Sequence, residues 1–274
     1  MQVQNQLEIK PDVAIAPSTC YEHTIAKSSL LRYPGGKTRA IKILEKFIPK
    51  GTTEICSPFF GGGSFEIHLA SKGIKVNGYD NFDLLVNFWK SILNNKEMVV
   101  EEVIKNHPLS KQQFYDIQKS ILNEQNEIVS GSLFYILNRS SFSGTGLSGG
   151  MSPNHPRFGI NQIENLKKFN SNFTIEKMSF ENSIKKHDCL IYADPPYLIN
   201  QTLYGNKGNM HKDFNHLLLA EILNERGNFL LSYNDCPEIR EMYKDCEFHT
   251  LNWKYGMNKS KESNEILIVK DKRL

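Results

Sequence analysis

No stretch of this sequence approaches the roughly 18 consecutive apolar residues of a membrane-spanning helix, so a span of that kind is excluded. The first residues, MQVQNQLEIKPD, lack the basic start and apolar stretch of a secretory signal. Cysteine is scarce: Cys20, Cys56, Cys189, Cys236 and Cys246 are scattered, odd in number and never spaced C-x-x-C. That argues against a disulfide framework or a zinc cluster and fits a reducing, cytoplasmic setting. An excess of one charge is also lacking, since 33 Lys+Arg against 30 Asp+Glu leave a net +3. So small a balance neither marks nor forbids a nucleic-acid partner, and the distribution of the basic residues has to decide. No internal repeat is visible. What is present is 39% hydrophobic and 11% aromatic residues in a chain of 274, enough for a core in one large domain or one domain carrying an insert.

Residues 1–28 are polar, contain Pro11 and Pro17, and read as a loosely attached arm. Ile41, Ile43, Leu44 and Phe47 are near helical spacing, which predicts a helix over 38–47. A short strand over 53–56 runs into Pro58 and a glycine cluster, a helix follows over 64–71, and a strand over 75–79 ends at Asp80. Strand, glycine turn, helix, strand and acid is the order of a parallel βαβ unit. Between 94 and 170 the rhythm changes. This stretch is rich in Asn and Lys, its helical runs (110–123 and 133–137) show no strand alternation, and SSFSGTGLSGG at 140–150 reads as a flexible loop. The βα rhythm then returns with strands over 189–193, 228–233 and 266–269 and a helix over 217–223. The expectation is an α/β domain built from 29–93 and 171–274 and interrupted by a mostly helical module at 94–170.

Two motifs carry chemistry. Asp194-Pro195-Pro196-Tyr197 follows the apolar run 189–193, at the carboxyl end of a strand, where open α/β sheets place their ligands. Successive prolines fix φ and remove two donors, leaving carbonyls to face a ligand. The aspartate adds an acceptor and the tyrosine a flat stacking face. A strand-ending turn accounts for the prolines alone, whereas an acceptor pair beside an aromatic plate accounts for all four residues. The second motif is SPFFGGGSF at 57–65, whose glycines allow a backbone to pass close to a ligand at a helix start. It is not G-x-G-x-x-G, because position 66 is Glu66, and Gly35-Gly36-Lys37-Thr38 is not a P-loop, because position 31 is Leu31. Asp80, seventeen residues after Gly63, suits the hydroxyls of a ribose, although a tight turn followed by a surface aspartate is the plainer alternative.

In this order the motifs resemble the Dam-type (D12 class, alpha group) DNA adenine-N6 methyltransferases, and the resemblance runs from about residue 31 to residue 269. Tyr33-Pro-Gly-Gly-Lys37 is similar to the family's first motif, Phe59-Phe-Gly-Gly-Gly63 to its cofactor loop, and Tyr79-Asp80-Asn81 to its ribose-binding acid. Leu137-Asn138-Arg139, with Phe142 and Gly144, looks like the start of its target-recognition module. Ser179-Phe180 sits where the family flanks the cofactor's adenine, 194–197 matches the catalytic motif, and Tyr204 matches a cofactor-side tyrosine. Leu231-Ser-Tyr-Asn234 and the basic loop 254–261 also follow the family plan. Two positions depart from it. Ser57 stands where the family carries an acid, and Leu147 stands where members that read GATC carry an arginine, which argues against GATC as the site.

The resemblance implies a Rossmann-like S-adenosylmethionine-dependent methyltransferase sheet and transfer of a methyl group to adenine N6 in double-stranded DNA, with the base flipped out. It implies Asp194, Pro195, Pro196 and Tyr197 as catalytic residues. Tyr33, Lys37, Phe59, Gly61, Gly63, Asp80, Ser179, Phe180, Asp194 and Tyr204 are implied at the S-adenosyl-L-methionine site. Lys37 either pairs with the methionine carboxylate or braces the Asp194 loop. Asn138, Arg139, Arg157, Lys254, Lys259 and Lys261 are implied on the DNA side. The partners implied are DNA and, in a restriction–modification setting, a cognate restriction endonuclease acting separately. Neither membrane nor metal is implied, because a sulfonium donor is already electrophilic. RNA adenine or cytosine-N4 methylation, or a catalytically silent nucleic-acid-binding subunit, are the alternative readings.

Overall fold

The computed structural model describes residues 26, 28–152, 158–198, 214–251 and 265–271. Its strands are β1 (Glu54–Ser57), β2 (Lys75–Asp80), β3 (Thr174–Lys177), β4 (Leu190–Ala193), β5 (Phe229–Asn234), β6 (Glu247–Leu251) and β7 (Glu265–Lys270). Among the described residues these seven form one sheet in the order β3-β2-β1-β4-β5-β7-β6. β1 to β5 run parallel, and β7 is antiparallel to both β5 and β6. This is the Rossmann-like α/β arrangement expected from the sequence.

β4 is buried along its whole length, which suits an apolar run without alternation in the middle of a parallel sheet. Its side chains still part by parity. Ile55, Leu190, Tyr192, Leu230 and Leu267 enter one core layer, and Cys56, Ile191, Ala193, Leu231, Ile266 and Ile268 enter the other. From β1 the sheet extends to β2 and β3 on one side and to β4 and β5 on the other. The carboxyl ends of β1 and β4 therefore flank a topological switch point, where such sheets open a crevice for ligands.

Helices cover both faces. In place of one helix over 38–47 the chain forms a 3-10 turn (Lys37–Arg39), α1 (Ile41–Leu44) and a second 3-10 turn (Glu45–Phe47). α2 (Ser64–Ser71), α3 (Asp83–Asn94), α4 (Lys96–Lys105), α5 (Lys111–Ser120), α6 (Glu127–Ser140) and α7 (Ile160–Lys168) contribute to the first layer. α8 (Phe180–Lys186), α9 (His216–Arg226) and α10 (Pro237–Met242) contribute to the second. No helix among the described residues is long and apolar enough to cross a membrane.

The stretch 94–170 thus holds α4 to α7, and it shares a core with α3. α5 starts at a reciprocal Ser110–Gln113 capping box, and α6 starts at Asn126, which accepts from the Ile128 and Val129 amides. Phe88 of α3 stacks on Tyr135 of α6, with centroids 5.2 Å apart and planes at 11°. Gly131 permits this approach, because a Cβ there would stand 2.7 Å from the Phe88 backbone nitrogen. Gly131→Ala is therefore expected to destabilise the protein by about 1–3 kcal/mol through overpacking. Urea denaturation would check this, and an unchanged midpoint would mean that the α3–α6 crossing has slack to give.

Candidate active site

The turn 33–36 brings a lysine to the end of β4. It closes with Gly36 N–H donating to the Tyr33 carbonyl at 3.0 Å, and Gly35 takes φ 75°. Lys37 follows, 5% exposed, with Nζ 2.8 Å from Asp194 Oδ1. The same ammonium donates to the Gly35 carbonyl at 2.9 Å and lies 5.1 Å over the Tyr197 ring. Burial raises the Asp194 carboxyl above its ordinary range, and the Lys37 charge and hydrogen bond pull it back. Of the two tasks open to Lys37 in the sequence, the geometry displays the bracing of Asp194.

The loop after Asp194 is clamped from β5. Asn234 accepts from the Leu198 amide at 2.9 Å and donates to the Leu198 carbonyl at 3.1 Å. Tyr197 stacks on Tyr233 at 5.8 Å and 25°, and the Tyr233 hydroxyl is hydrogen-bonded to His216 Nδ1. Pro195 is buried, while Pro196 and Tyr197 are half-buried.

The glycine loop leaves β1 and folds back on the end of β2. Phe60 N–H donates to the Tyr79 carbonyl at 2.8 Å, Gly61 N–H to Asp80 Oδ2 at 2.9 Å, and Phe82 N–H to Asp80 Oδ1 at 3.1 Å. The indole N–H of Trp89 secures the Gly61 carbonyl at 3.0 Å. Gly63, at φ 63°, starts α2 where a Cβ would meet the Phe60 ring at 2.4 Å. Tyr33 covers Gly61, its ring 3.1 Å from where a Cβ would stand. Burial pushes Asp80 up to about 6 despite these backbone donors. Ser57 donates to Glu66 Oε1 at 2.8 Å.

Beside the loop, three half-buried rings meet. Phe59 and Phe180 are stacked at 5.7 Å, and Phe214 meets them at 5.6 and 5.4 Å. Ser179 precedes this group as the N-cap residue of α8. Phe214 and Asn234 were not singled out as site residues in the sequence. An aromatic that closes a three-ring group across so much chain leaves no local signal, whereas Asn234 ends a buried strand, much as Asp194 directly follows one.

The residues expected on the DNA side are placed differently from one another. Asn138 is 1% exposed, and its side-chain amide bonds the Arg32 N–H, the Arg32 carbonyl and the Gly144 carbonyl at 2.9, 2.8 and 2.9 Å. So engaged, it braces the first motif against the helical stretch and has no face turned outward to a base. Arg139 is half-buried and reaches the Leu30 carbonyl at 3.4 Å. Arg157, Tyr204, Lys254, Lys259 and Lys261 lie outside the described residues. The loop 140–150, read as flexible, is tied down: Gln118 donates to the Gly146 and Gly149 carbonyls at 2.6 and 2.9 Å, and Ser141 Oγ accepts from Gly146 N–H at 2.8 Å. At its start Phe142 is 57% exposed, beside Ser143 at φ 56°. Glu54, His187 and Cys189 are the one metal-like trio among the described residues, beside the amino ends of β1 and β4. Glu54 is already engaged with Lys75 and Asn77, His187 with Tyr79, and burial pushes the Cys189 thiol up to about 11.

A family model described as D12 class N6 adenine-specific DNA methyltransferase matches residues 33–257. The chain is 23% identical over 261 residues to the Type II methyltransferase M.CviBI of Paramecium bursaria Chlorella virus NC1A, covering 88% of this chain and 98% of that protein. It is also 23% identical over 268 residues to the Retron Ec67 DNA adenine methylase of Escherichia coli, covering 90% and 92% respectively.

Burial raises the Asp194 titration and Lys37, with the Tyr197 hydroxyl, opposes that rise, so Lys37→Met is expected to raise it further, with a larger share of Asp194 protonated at any mildly acidic pH. Carboxyl carbon NMR on the two proteins would report the midpoints. A midpoint in the variant at or below the wild-type one would contradict the pairing.

Proposed function

Because the chain belongs to the D12 class of N6 adenine-specific DNA methyltransferases, we propose that its methyl donor is S-adenosylmethionine and that the Lys37–Asp194 pair at the end of β4 prepares the target nitrogen. The exocyclic N6 of adenine is a poor nucleophile, since its lone pair is delocalised into the ring. Asp194 and the Pro195 carbonyl each accept a hydrogen bond from one of its two N–H groups, which favours the tetrahedral nitrogen whose lone pair is available. Lys37 keeps Asp194 ionised and aimed, so the acceptors need no rearrangement as charge develops. Tyr197 stacks on the base, a contact worth about 1–3 kcal/mol. Its own backing by Tyr233 and the Asn234 clamp fixes the plate.

The groups at the carboxyl ends of β1, β2 and β3 suit the proposed donor. Phe59, Phe180 and Phe214 offer aromatic faces for an adenine, Asp80 offers acceptors for ribose hydroxyls, and the glycine loop lets the backbone approach. When bound, the donor supplies a methyl group made electrophilic by its sulfonium. Tyr33, Lys37 and Ser179 border the same crevice.

The target base is hidden in duplex DNA, so it is flipped out to reach Asp194. The module at 94–170 reads the site, with Arg139 near the DNA and Asn138 bracing from behind. Phe142 is an exposed apolar wedge of the kind that enters base steps. Arg157, Lys254, Lys259 and Lys261 serve phosphate contacts. The likeness to a Type II methyltransferase supports a protective role beside a separate restriction endonuclease.

Two variants test this. Asp194→Ala is expected to abolish N6-methyldeoxyadenosine formation on unmethylated genomic DNA, read by nucleoside mass spectrometry, while DNA binding persists. More than a few per cent of wild-type product would remove Asp194 from the role. Phe142→Ala is expected to weaken duplex binding by about tenfold, or ~1.4 kcal/mol, with cofactor affinity unchanged. An unchanged dissociation constant would take the wedge away.

A further inference from the structure

Just after the glycine loop in the chain comes a carboxyl group that the methyl-transfer scheme leaves without a task. Glu66, in the first turn of α2, is 3% exposed, between the buried Phe65 and Ile67. It accepts a 2.8 Å hydrogen bond from Ser57, the fully buried last residue of β1. The groups that face it are Ser57 from β1, Lys37 from the turn before α1, Tyr192 from β4, and Asp194 just beyond β4. On its own helix His68 is engaged by Glu45 at 3.1 Å. Lys37 thus stands against two carboxyl groups, and its ammonium is in contact with Asp194. A carboxyl so enclosed resists ionisation. Burial, helped by the Asp194 charge, pushes Glu66 up to about 7, against its own backbone N–H, the Ser57 hydroxyl and Lys37.

We propose that Glu66 is a positioning residue for a cationic methyl donor: buried at the start of α2 and held by Ser57 of β1, it gives up its proton to solvent when the donor's positive charge arrives. This rests on the reading of the crevice as the S-adenosylmethionine site. The donor's sulfonium gives it a positive charge that the demethylated product lacks. An opposite charge brought close favours the ionised form of an acid, and in a desolvated site that attraction is weakly screened. By linkage, donor affinity then rises as Glu66 ionises, while affinity for the neutral product changes less. The crevice so discriminates donor from product with a residue that touches neither.

Isothermal titration calorimetry of the full chain with S-adenosylmethionine and with S-adenosylhomocysteine reads the proton directly, in buffers of different ionisation enthalpy. Wild type is expected to release a fraction of a proton on donor binding near pH ~7. Its preference for donor over product is expected to grow several-fold across the rise through that pH. Glu66→Gln keeps the side-chain volume and an acceptor for Ser57, and leaves Asp80 and Asp194 in place. It is expected to bind the donor with a smaller release near pH ~7, the remainder belonging to Asp80, and with a preference that changes less with pH. Ser57→Ala removes a hydroxyl that favours the ionised form, so the release moves to higher pH. Wild type that binds the donor with no proton release, or Glu66→Gln that releases as wild type does, overturns the role of Glu66 and leaves the cofactor reading standing. A wild type that binds neither compound overturns that reading, and the role of Glu66 with it.

Discussion

The contact between Lys37 and Asp194 joins two segments far apart in sequence, and both charges are largely out of water when they meet. Taking an ion out of water costs several kcal/mol, offset only when geometry and further hydrogen bonds are good, and removing one partner leaves the other stranded. The surroundings serve that condition. The glycine turn 33–36 lets the backbone double back so that the Gly35 carbonyl also receives the ammonium. Thr38 bonds Ser64 at 3.1 Å, which fixes the turn to the start of α2. On the other side Asn234 holds Leu198, so Asp194 sits on a loop with both ends anchored. Each of these contacts is modest alone, at about 1 kcal/mol net. Together they define where one carboxylate oxygen points.

The second half of the site is arranged around a different acid. Asp80 receives backbone donors from the glycine loop and from the start of α3. It fixes the glycine loop and the start of α3 against the end of β2. Its raised titration follows from this enclosure. A group whose folded-state pKa is raised gives stability that is full below its unfolded value and lost as pH rises through the folded value. For Asp80 that loss runs from the ordinary 3.8 and is complete near pH 6, and for Glu66 from the ordinary 4.5 to near pH 7. Both acids are therefore held in the fold at a cost at neutral pH, the condition in which a cationic ligand is best received.

Much of the catalytic half was legible in the sequence because its signals are local. A four-residue apolar strand ending in Asp-Pro-Pro-Tyr, and a strand–glycine–helix–strand–acid run, carry their meaning in a few neighbours. β3 and β6 gave no such signal. In β3 only Ile175 is buried, and in β6 only Leu251, as befits strands at the two edges of the sheet. Asn138 differs because its placement is not local. An Asn-Arg pair ahead of a Gly/Ser loop looks like a surface, and only a tertiary contact with Arg32 turns the asparagine inward. Lys37 was found by motif, yet its partner was settled only by the approach of β4. Glu66 was noticed merely as the residue that breaks a glycine pattern. Its burial depends on α2 closing over β1, which no window of sequence displays.

The Asn138 brace has a consequence for the modularity of the chain. Its three hydrogen bonds hold the Gly144 carbonyl and both backbone groups of Arg32 in one frame, just ahead of Tyr33 and Lys37. The loop 140–150 is therefore not a cassette that can be exchanged at its visible ends. A graft cut between Asn138 and Gly144 would disturb the segment that carries the lysine, whereas one begun beyond Gly144 would leave that frame intact. Sequence drift in this loop is channelled in the same way, toward its outer part and away from its root.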